Sequence, residues 1–343
     1  MYPLDEGVWG PISRIRHLRD ELARLADLEV IDGDRGRRRA ALLRYAFSGR
    51  LRSVDGIYVE NSSTLPSETD VAFLALARVL GVRVLTYVRD AQYLFDEYYV
   101  ATSLRRRIAR GLFLPSVAAL RLVSRRVGYP SRGLARAVRD SSPNPLLLPP
   151  GSPPPVDVPP KPDARSLLFV GGMRVPAHGL DLLVRSVEVV RARGRDLRVI
   201  CVSRPGEEPP DPPSWMRVEH GSGPDIIALL PDVVATVQPR RRTPYNDLAV
   251  PIKVMEYLSY GRPLVVTDCT EQATIVRDAD CGIVVEDSVD GLAAGLEEVL
   301  DADHATRERW SANGRLAAER HSWTERATRI VGVLAGRADP AGP

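Results

Sequence analysis

The sequence is poor in lysine, in cysteine and in long apolar runs. Lysine and arginine together number 47, yet only Lys161 and Lys253 are lysines. Cys201, Cys269 and Cys281 lack metal-ligand spacing, and no signal-peptide pattern precedes them. These features argue against a disulfide framework and predict reduced thiols in a cytoplasmic protein. No apolar run approaches the roughly 20 residues that a membrane-spanning helix needs.

Charge and length narrow the class further. A net charge of +3 is too small to indicate a nucleic-acid partner. The sequence has no cluster of His, Cys and carboxylates with ligand spacing, so we expect neither a metal nor a resident cofactor. Charged residues make up 27% and apolar residues 44%, which is typical of a globular protein. At 343 residues the chain exceeds what one core usually holds, and two domains are expected.

Short apolar strands alternate with helical patterns in the first half of the chain. This alternation predicts a doubly wound parallel sheet with helices on both faces and ligands at the carboxyl ends of the strands. Glu60 with Asn61, and Arg89 with Asp90, occupy two such ends. Asp90 is a candidate acid or base, or else the N-cap of the following helix. The predicted strands are 28–31, 55–59 and 82–88, and the predicted helices are 12–25, 35–47 and 66–80.

A glycine loop from Gly7 to Gly10 opens the chain. In a doubly wound domain such a loop follows a buried strand of about five residues, but too few residues precede this one. We therefore expect that the printed sequence starts downstream of the natural start, or that the first strand is incomplete. An in-frame upstream start encoding an apolar strand would support this expectation, and a stop codon directly upstream would contradict it.

The segment 98–139 contains ten arginines and no acidic residue. Within it, residues 103–126 form a basic amphipathic helix pattern of the kind that lies on an anionic membrane surface. The alternative is a domain helix whose arginines are simply solvated. The first interpretation predicts a peripheral protein at the inner face of the membrane.

Prolines dominate residues 143–162, which predicts a semi-rigid linker and a domain boundary. We therefore divide the chain into a first domain at 1–150, a linker at 151–162, a second domain at 163–320 and a C-terminal helix with its tail at 321–343.

The second half repeats the alternation of strands and helices. Gly171 and Gly172 directly follow its first strand, where glycine lets backbone approach a ligand closely or simply makes a tight turn. The predicted strands are 167–170, 197–202, 233–237, 264–267 and 282–285, with a short helix at 225–230, a helix from 289 and two helices at the C-terminus.

One helix of this half carries a charged pair. Pro251 predicts its start and Gly261 its left-handed end. A helix N-terminus attracts anions. Lys253 lies in the first turn, where the helix dipole disfavours a cation, and Glu256 follows on the same face. Such a pair suits a ligand with both phosphate and hydroxyls, such as a nucleotide diphosphate with its ribose; the alternative is an ordinary solvated ion pair.

Three segments of the second half carry a family resemblance: 169–173 (FVGGM), 178–183 (HGLDLL) and 251–263 (PIKVMEYLSYGRP). They resemble glycosyltransferase family 4, the retaining sugar-nucleotide transferases. The whole chain resembles the GT-B fold, in which two Rossmann-like domains face a cleft, although the first half matches only in pattern.

The resemblance implies roles for the donor side. Glu256 matches the second glutamate of the family's Glu-x7-Glu motif, which holds the donor ribose. Ala249 stands where the first glutamate would be, and Asn246 or Asp247 is a candidate to replace it. The glycines 171–172 would present backbone amides to the diphosphate.

Positive charge at the diphosphate is expected because leaving-group departure builds negative charge there. The family's lysine is replaced by His178, which is mostly neutral at pH 7. The candidate sources are Lys253, Arg174 or the loop 240–242, and we favour Lys253 and Arg174. The alternative for the loop is a solvated surface run. For His178, a packing or capping role stays open beside contact with the donor.

On the acceptor side we expect Gly7, Gly10 and Asp90. The catalytic residues would be Asp90, Lys253 and Glu256, and the family implies retention at the anomeric carbon without a metal.

Three functional hypotheses follow. The first is an active glycosyltransferase that builds polysaccharide, glycolipid or another cell-envelope component from a nucleotide-diphosphate sugar. The second is a non-catalytic donor-binding subunit of an active relative, a hypothesis motivated by Ala249 and His178. The third, a GT-B epimerase or phosphorylase, has no specific sequence feature in its favour.

Overall fold

The computed structural model describes residues 9–61, 65–173, 176–209 and 211–337, and the chain divides into two compact units. The first unit runs through Pro150 and includes the chain from Trp323 onward, whereas the second runs from Gly151 to Ser322. Within the described ranges, none of the helices combines the length and the apolar character needed to span a bilayer.

The first unit is built around a four-stranded parallel sheet whose strands lie side by side in chain order. The strands are β1 (Gly56–Asn61), β2 (Arg83–Val88), β3 (Arg126–Tyr129) and β4 (Leu146–Leu147). The helices are α1 (Trp9–Leu25), α2 (Arg35–Phe47), α3 (Glu68–Val79), α4 (Leu104–Val123), α5 (Arg132–Ala137) and α12 (Trp323–Leu334).

Polar caps set where several of these helices begin. Asp34 accepts a hydrogen bond from the N–H of Arg37 at 2.9 Å and starts α2. Ser67 and Asp70 form a reciprocal capping box at the start of α3, with distances of 2.9 and 3.1 Å. Ser103 caps α4 through its side chain. Each cap satisfies an N–H group that the helix leaves without an internal partner.

Three sequence predictions for this unit are wrong. Residues 28–31 form no strand; Val30 is 49% exposed, and the run lacks a neighbouring strand to pair with. Gly10 lies in the first turn of α1 rather than in a loop, whereas Gly7 lies outside the described residues. The proline-rich stretch is not linker throughout, because Leu146 and Leu148 are buried in the core around the edge strand β4. An edge strand tolerates flanking prolines.

The second unit is a six-stranded parallel sheet with helices between its strands. The strands are β5 (Ser166–Val170), β6 (Arg198–Ser203), β7 (Met216–His220), β8 (Val233–Gln238), β9 (Leu264–Thr267) and β10 (Gly282–Val285). The helices are α6 (Leu180–Ala192), α7 (Pro224–Ile227), α8 (Ile252–Ser259), α9 (Thr270–Ala279), α10 (Val289–Asp301) and α11 (His304–Arg320).

The strand order across this sheet is β10-β9-β8-β5-β6-β7. The chain builds outward from β5 through β6 to β7, then returns to the other side of β5 with β8. The order therefore reverses between β5 and β8. In open parallel sheets this reversal leaves a crevice at the carboxyl ends of the two strands, where ligands bind.

The start of the second unit packs against α8. The hydroxyl of Ser152 donates to the carbonyl of Met255 at 2.7 Å, and the N–H of Val156 donates to the carbonyl of Ser259 at 2.9 Å. The segment 151–162 thus helps to hold the helix that carries the charged pair.

Candidate active site

The loops that follow β5 and β8 touch at the point where the strand order reverses. Gly179, with φ of +78°, precedes α6, and a Cβ on it would lie 1.6 Å from the carbonyl oxygen of Pro239. Only glycine permits this approach, because any side chain would clash with backbone. The start of α6 and the loop after β8 are therefore held against each other.

Gly171 and Gly172 lie at the carboxyl end of β5, as predicted. The N–H of Gly171 donates to the carbonyl of Val202 at 3.0 Å and so continues the sheet pairing. The carbonyl of Gly172 accepts a hydrogen bond from Nδ1 of His178 at 3.0 Å. Arg174 lies outside the described residues.

His178 is held neutral by its surroundings. Burial lowers the pKa of its imidazole, the charge of Arg240 lowers it further, and the hydrogen bond to Gly172 opposes both effects. The N-cap of α6 is Gly179 rather than His178. At the position where the resemblance places a lysine, the structure therefore has an uncharged ring fixed to the glycine turn.

Lys253 and Glu256 form an ion pair on α8, with 2.8 Å between Nζ and Oε2. The side chain of Lys253 is 35% exposed and that of Glu256 17% exposed. The N–H of Val170 donates to the hydroxyl of Tyr257 at 2.7 Å, and this contact fixes α8 to the end of β5. The charged pair thus lies in the first two turns of a helix that is joined to the carboxyl end of β5.

The candidates for replacing the glutamate missing at position 249 have other partners. Asp247 pairs with Arg242 at 3.3 Å and accepts from the N–H of Thr270 at 3.0 Å. Asn246 is completely buried and accepts a hydrogen bond from Arg240. Both residues hold the arginine loop in place.

The arginine run 240–242 is not simply a solvated surface run. Arg241 pairs with Asp287 and Arg242 with Asp268, each at 3.0 Å, whereas Arg240 is only 7% exposed. The sequence pattern alone carries no signal that distinguishes the first arginine of the run from the other two.

On the first unit, Asp90 follows β2, and its carboxylate accepts a hydrogen bond from the backbone two residues further along the chain. Its Oδ1 accepts a hydrogen bond from the N–H of Gln92 at 2.9 Å, where a single turn of 3-10 helix begins. The N-cap of that turn is Ala91, so Asp90 does not take the N-cap role that the sequence left open as its alternative.

Glu60, at the end of β1, has a partner that the sequence analysis missed. Its Oε1 lies 2.7 Å from Nε of Arg14, and the two side chains are 7% and 2% exposed. Tyr58 donates its hydroxyl to the same carboxylate, and the guanidinium lies 3.9 Å from the centre of the Tyr87 ring. Trp323 of α12 stands 5.9 Å away on another side. An arginine in an amphipathic helix such as α1 gives no sign in the sequence that it is buried.

Across the residues that the structure describes, no group of three or more His, Cys, Asp and Glu side chains is placed to hold a metal ion.

The chain consists of two parallel-sheet α/β units of the GT-B type, which confirms the fold class expected from the sequence. A glycosyltransferase from Rickettsia africae ESF-5 aligns at 12% identity over 90% of this chain and 83% of that one, with a TM-score of 0.63. Anabaena Alr3699/HepE in complex with UDP aligns at 12% identity over 90% and 86%, with a TM-score of 0.62.

The family comparison is specific to the second unit. Residues 164–302 match the model of the family described as glycosyl transferases group 1, and this stretch contains the turn at Gly171 and Gly172 and the charged pair. No curated protein sequence matches the chain. A mutant of S. aureus TarM, crystallised with fondaparinux, alpha-GlcNAc-glycerol and UDP, aligns at 10% identity over 74% of this chain with a TM-score of 0.55. The chain spans only 50% of the length of TarM.

Proposed function

We propose that the protein is a glycosyltransferase of family 4 that moves a sugar from a nucleotide-diphosphate sugar to a hydroxyl acceptor with retention. The observation that carries the proposal is the Lys253–Glu256 pair on α8, a helix that Tyr257 fixes to the end of β5, within the segment matched by the group 1 family model. Neighbours crystallised with UDP support a nucleotide as the ligand of this site.

The donor roles follow from chemistry. Glu256 would accept the ribose hydroxyls, and Lys253, with Arg174, would offset the charge that grows on the departing diphosphate. The N–H of Gly171 is used within the sheet, so the glycine turn would contribute a close approach of backbone at Gly172. His178 would order that turn through its hydrogen bond to Gly172.

Acceptor recognition is assigned to the first unit, with Asp90 at the carboxyl end of β2 and the glycines Gly7 and Gly10 near the start of the chain. The proposal includes no metal and no resident cofactor, an expectation that comes from the ligand spacing missing in the sequence. Transfer that persists in excess EDTA would support it, and transfer restored only by a divalent cation would contradict it.

A nucleoside diphosphate is expected to stabilise the protein against heat. A ligand present at a hundredfold excess over its Kd adds about 2.7 kcal/mol to the free energy of unfolding. We would screen UDP, GDP and ADP together with their sugars by thermal shift. A melting temperature that none of these compounds raises would contradict the proposed donor site.

A non-catalytic donor-binding subunit is the second candidate function. It is favoured by Ala249 in place of an acid and by the neutral His178 in place of a cation. Donor binding without hydrolysis or transfer across a broad acceptor panel would favour this candidate. Turnover that is lost in both Lys253→Ala and Glu256→Ala would favour the enzyme.

Helix α4 is the reason to propose a location at the inner face of an anionic membrane. The products proposed there are polysaccharide, glycolipid or other envelope precursors. Leu104, Ile108 and Leu112 are 74%, 53% and 52% exposed at helical spacing. Arg105 and Arg107 lie beside them on the same helix. An exposed apolar stripe flanked by arginines suits a surface of acyl chains and anionic headgroups.

Flotation with vesicles containing anionic lipid tests this location. Replacing Arg105 and Arg107 with Gln is expected to weaken binding about thirtyfold, since each cation near the surface contributes about 1 kcal/mol. Ile108→Ser tests the apolar stripe and should also weaken binding. Its control is Val79→Ser, at a position on α3 that is 83% exposed. Absence of wild-type binding at moderate salt would end the membrane hypothesis.

A further inference from the structure

The guanidinium of Arg240 is buried at the carboxyl end of β8, and the roles assigned above do not use it. Arg240 is 7% exposed, and its Nη2 donates to the side-chain oxygen of Asn246. Its Nε is buried without a hydrogen-bond partner. Burying a charge and leaving one of its donors unpaired are both costly, so an anionic ligand that pairs with this guanidinium would be stabilising.

The carboxylates near this loop pair with its other two arginines, and Asp247 pairs with Arg242 at 3.3 Å. Asp287 pairs with Arg241 and Asp268 with Arg242, both at 3.0 Å. Among the residues that the structure describes, Arg240 forms no ion pair with a carboxylate. Within the described ranges, the arginine run therefore divides into two arginines that pair with acids and one, Arg240, that does not.

The guanidinium of Arg240 lies close enough to His178 to lower the pKa of its imidazole. The carbonyl of Ala177 accepts from the N–H of Arg241 and from Nδ2 of Asn246, each at 3.2 Å, and so joins the loop after β8 to the turn that carries His178. The contact between Gly179 and Pro239 joins the same two loops. Arg240 thus stands next to the position where the resemblance places a lysine.

We propose that Arg240 is a phosphate-binding residue of the donor site, supplying from β8 the positive charge that His178 does not supply from the loop after β5. The inference rests on the proposed function, because its ligand is the donor diphosphate. A guanidinium offers several N–H donors in a planar fork that matches phosphate oxygens. Lys253 already faces Glu256, so a second cation balances the diphosphate charge more completely.

Isothermal titration of UDP, GDP, ADP and inorganic pyrophosphate into wild type and Arg240→Gln tests the inference. For the diphosphate that wild type binds best, affinity is expected to fall about 10- to 100-fold, because a hydrogen bond to a charged group is lost. The affinity for the corresponding nucleoside should stay unchanged. Arg193→Gln, at the C-terminal end of α6, half exposed and paired with Glu297, is the control and should bind normally.

A rescue variant separates charge from structure. If Arg240 supplies the charge missing at position 178, adding His178→Lys to Arg240→Gln should restore most of the lost affinity. Should Arg240→Gln fail to fold, Arg240→Lys carries the comparison with wild type, and a loss of affinity is again expected because the planar fork is gone. Equal diphosphate affinity in wild type and a folded Arg240 variant would overturn the inference but leave the donor site standing. Failure of wild type to bind any of the four probes would overturn the proposed function itself.

Discussion

Replacing Lys253 with methionine is expected to lower kcat/KM for sugar transfer by two to three orders of magnitude. The ammonium stabilises charge that develops only as the diphosphate leaves, and losing one such preorganised donor costs about 3–4 kcal/mol of activation free energy. The measurement is the initial rate of transfer from the donor that the thermal-shift screen identifies, with folding checked by circular dichroism.

The chain contains its own control for this experiment. Lys161 is the other lysine in the sequence, and it pairs with Asp232 at the surface, 2.6 Å from its carboxylate. Lys161→Met should therefore transfer sugar at the wild-type rate. A Lys253→Met variant that keeps wild-type kcat/KM would show that the charged pair is an ordinary surface ion pair and would remove the main support for the proposed function.

Replacing Glu60 with glutamine is expected to destabilise the first unit by about 3–5 kcal/mol. The change leaves the guanidinium of Arg14 buried without its counter-ion, and breaking a buried pair on one side carries a cost of this size. Hydrogen exchange of α1 and β1 is the suitable measurement, since it reports on the first unit alone.

Two variants make the stability prediction specific. Glu68 pairs with Arg35 at 3.1 Å, but both side chains are mostly exposed, so Glu68→Gln should change protection little. Replacing both buried partners, Arg14→Met with Glu60→Leu, should recover much of the loss because no unpaired charge remains. Equal protection in wild type and Glu60→Gln would contradict the assignment of a structural role to this pair.

Continuous buried apolar runs in the sequence predict two strands of the second unit closely. The predicted strands at 167–170 and 264–267 lie within β5 and β9. In a parallel sheet that is covered on both faces, apolar and polar residues do not alternate along a strand. A continuous apolar run is therefore the sequence pattern that indicates such a strand. The edge strand β7 has the polar sequence MRVEH and carries no such signal. The strand β7 forms because its backbone pairs with β6. This pairing depends on a neighbouring strand.

The apolar run at 28–31 is the opposite case, in which a strand-like sequence forms no strand. It has strand-like residues but no partner strand, and Val30 stays half exposed. The predicted short helix at 225–230 is likewise divided: α7 ends at Ile227, and a separate 3-10 turn carries Pro231, which cannot donate a backbone hydrogen bond inside a helix.

The amino-acid sequence by itself determined the two parallel-sheet units, the turn at Gly171 and Gly172, and the adjacency of Lys253 and Glu256. These features follow from local apolar patterns, from glycine and from helical spacing, all of which act over a few residues. Only the tertiary structure decided that Glu60 meets Arg14, 46 residues away, and that Arg240 is buried. The sequence does not distinguish a solvated charged side chain from a buried one. The elements that bury such a side chain come from distant parts of the chain.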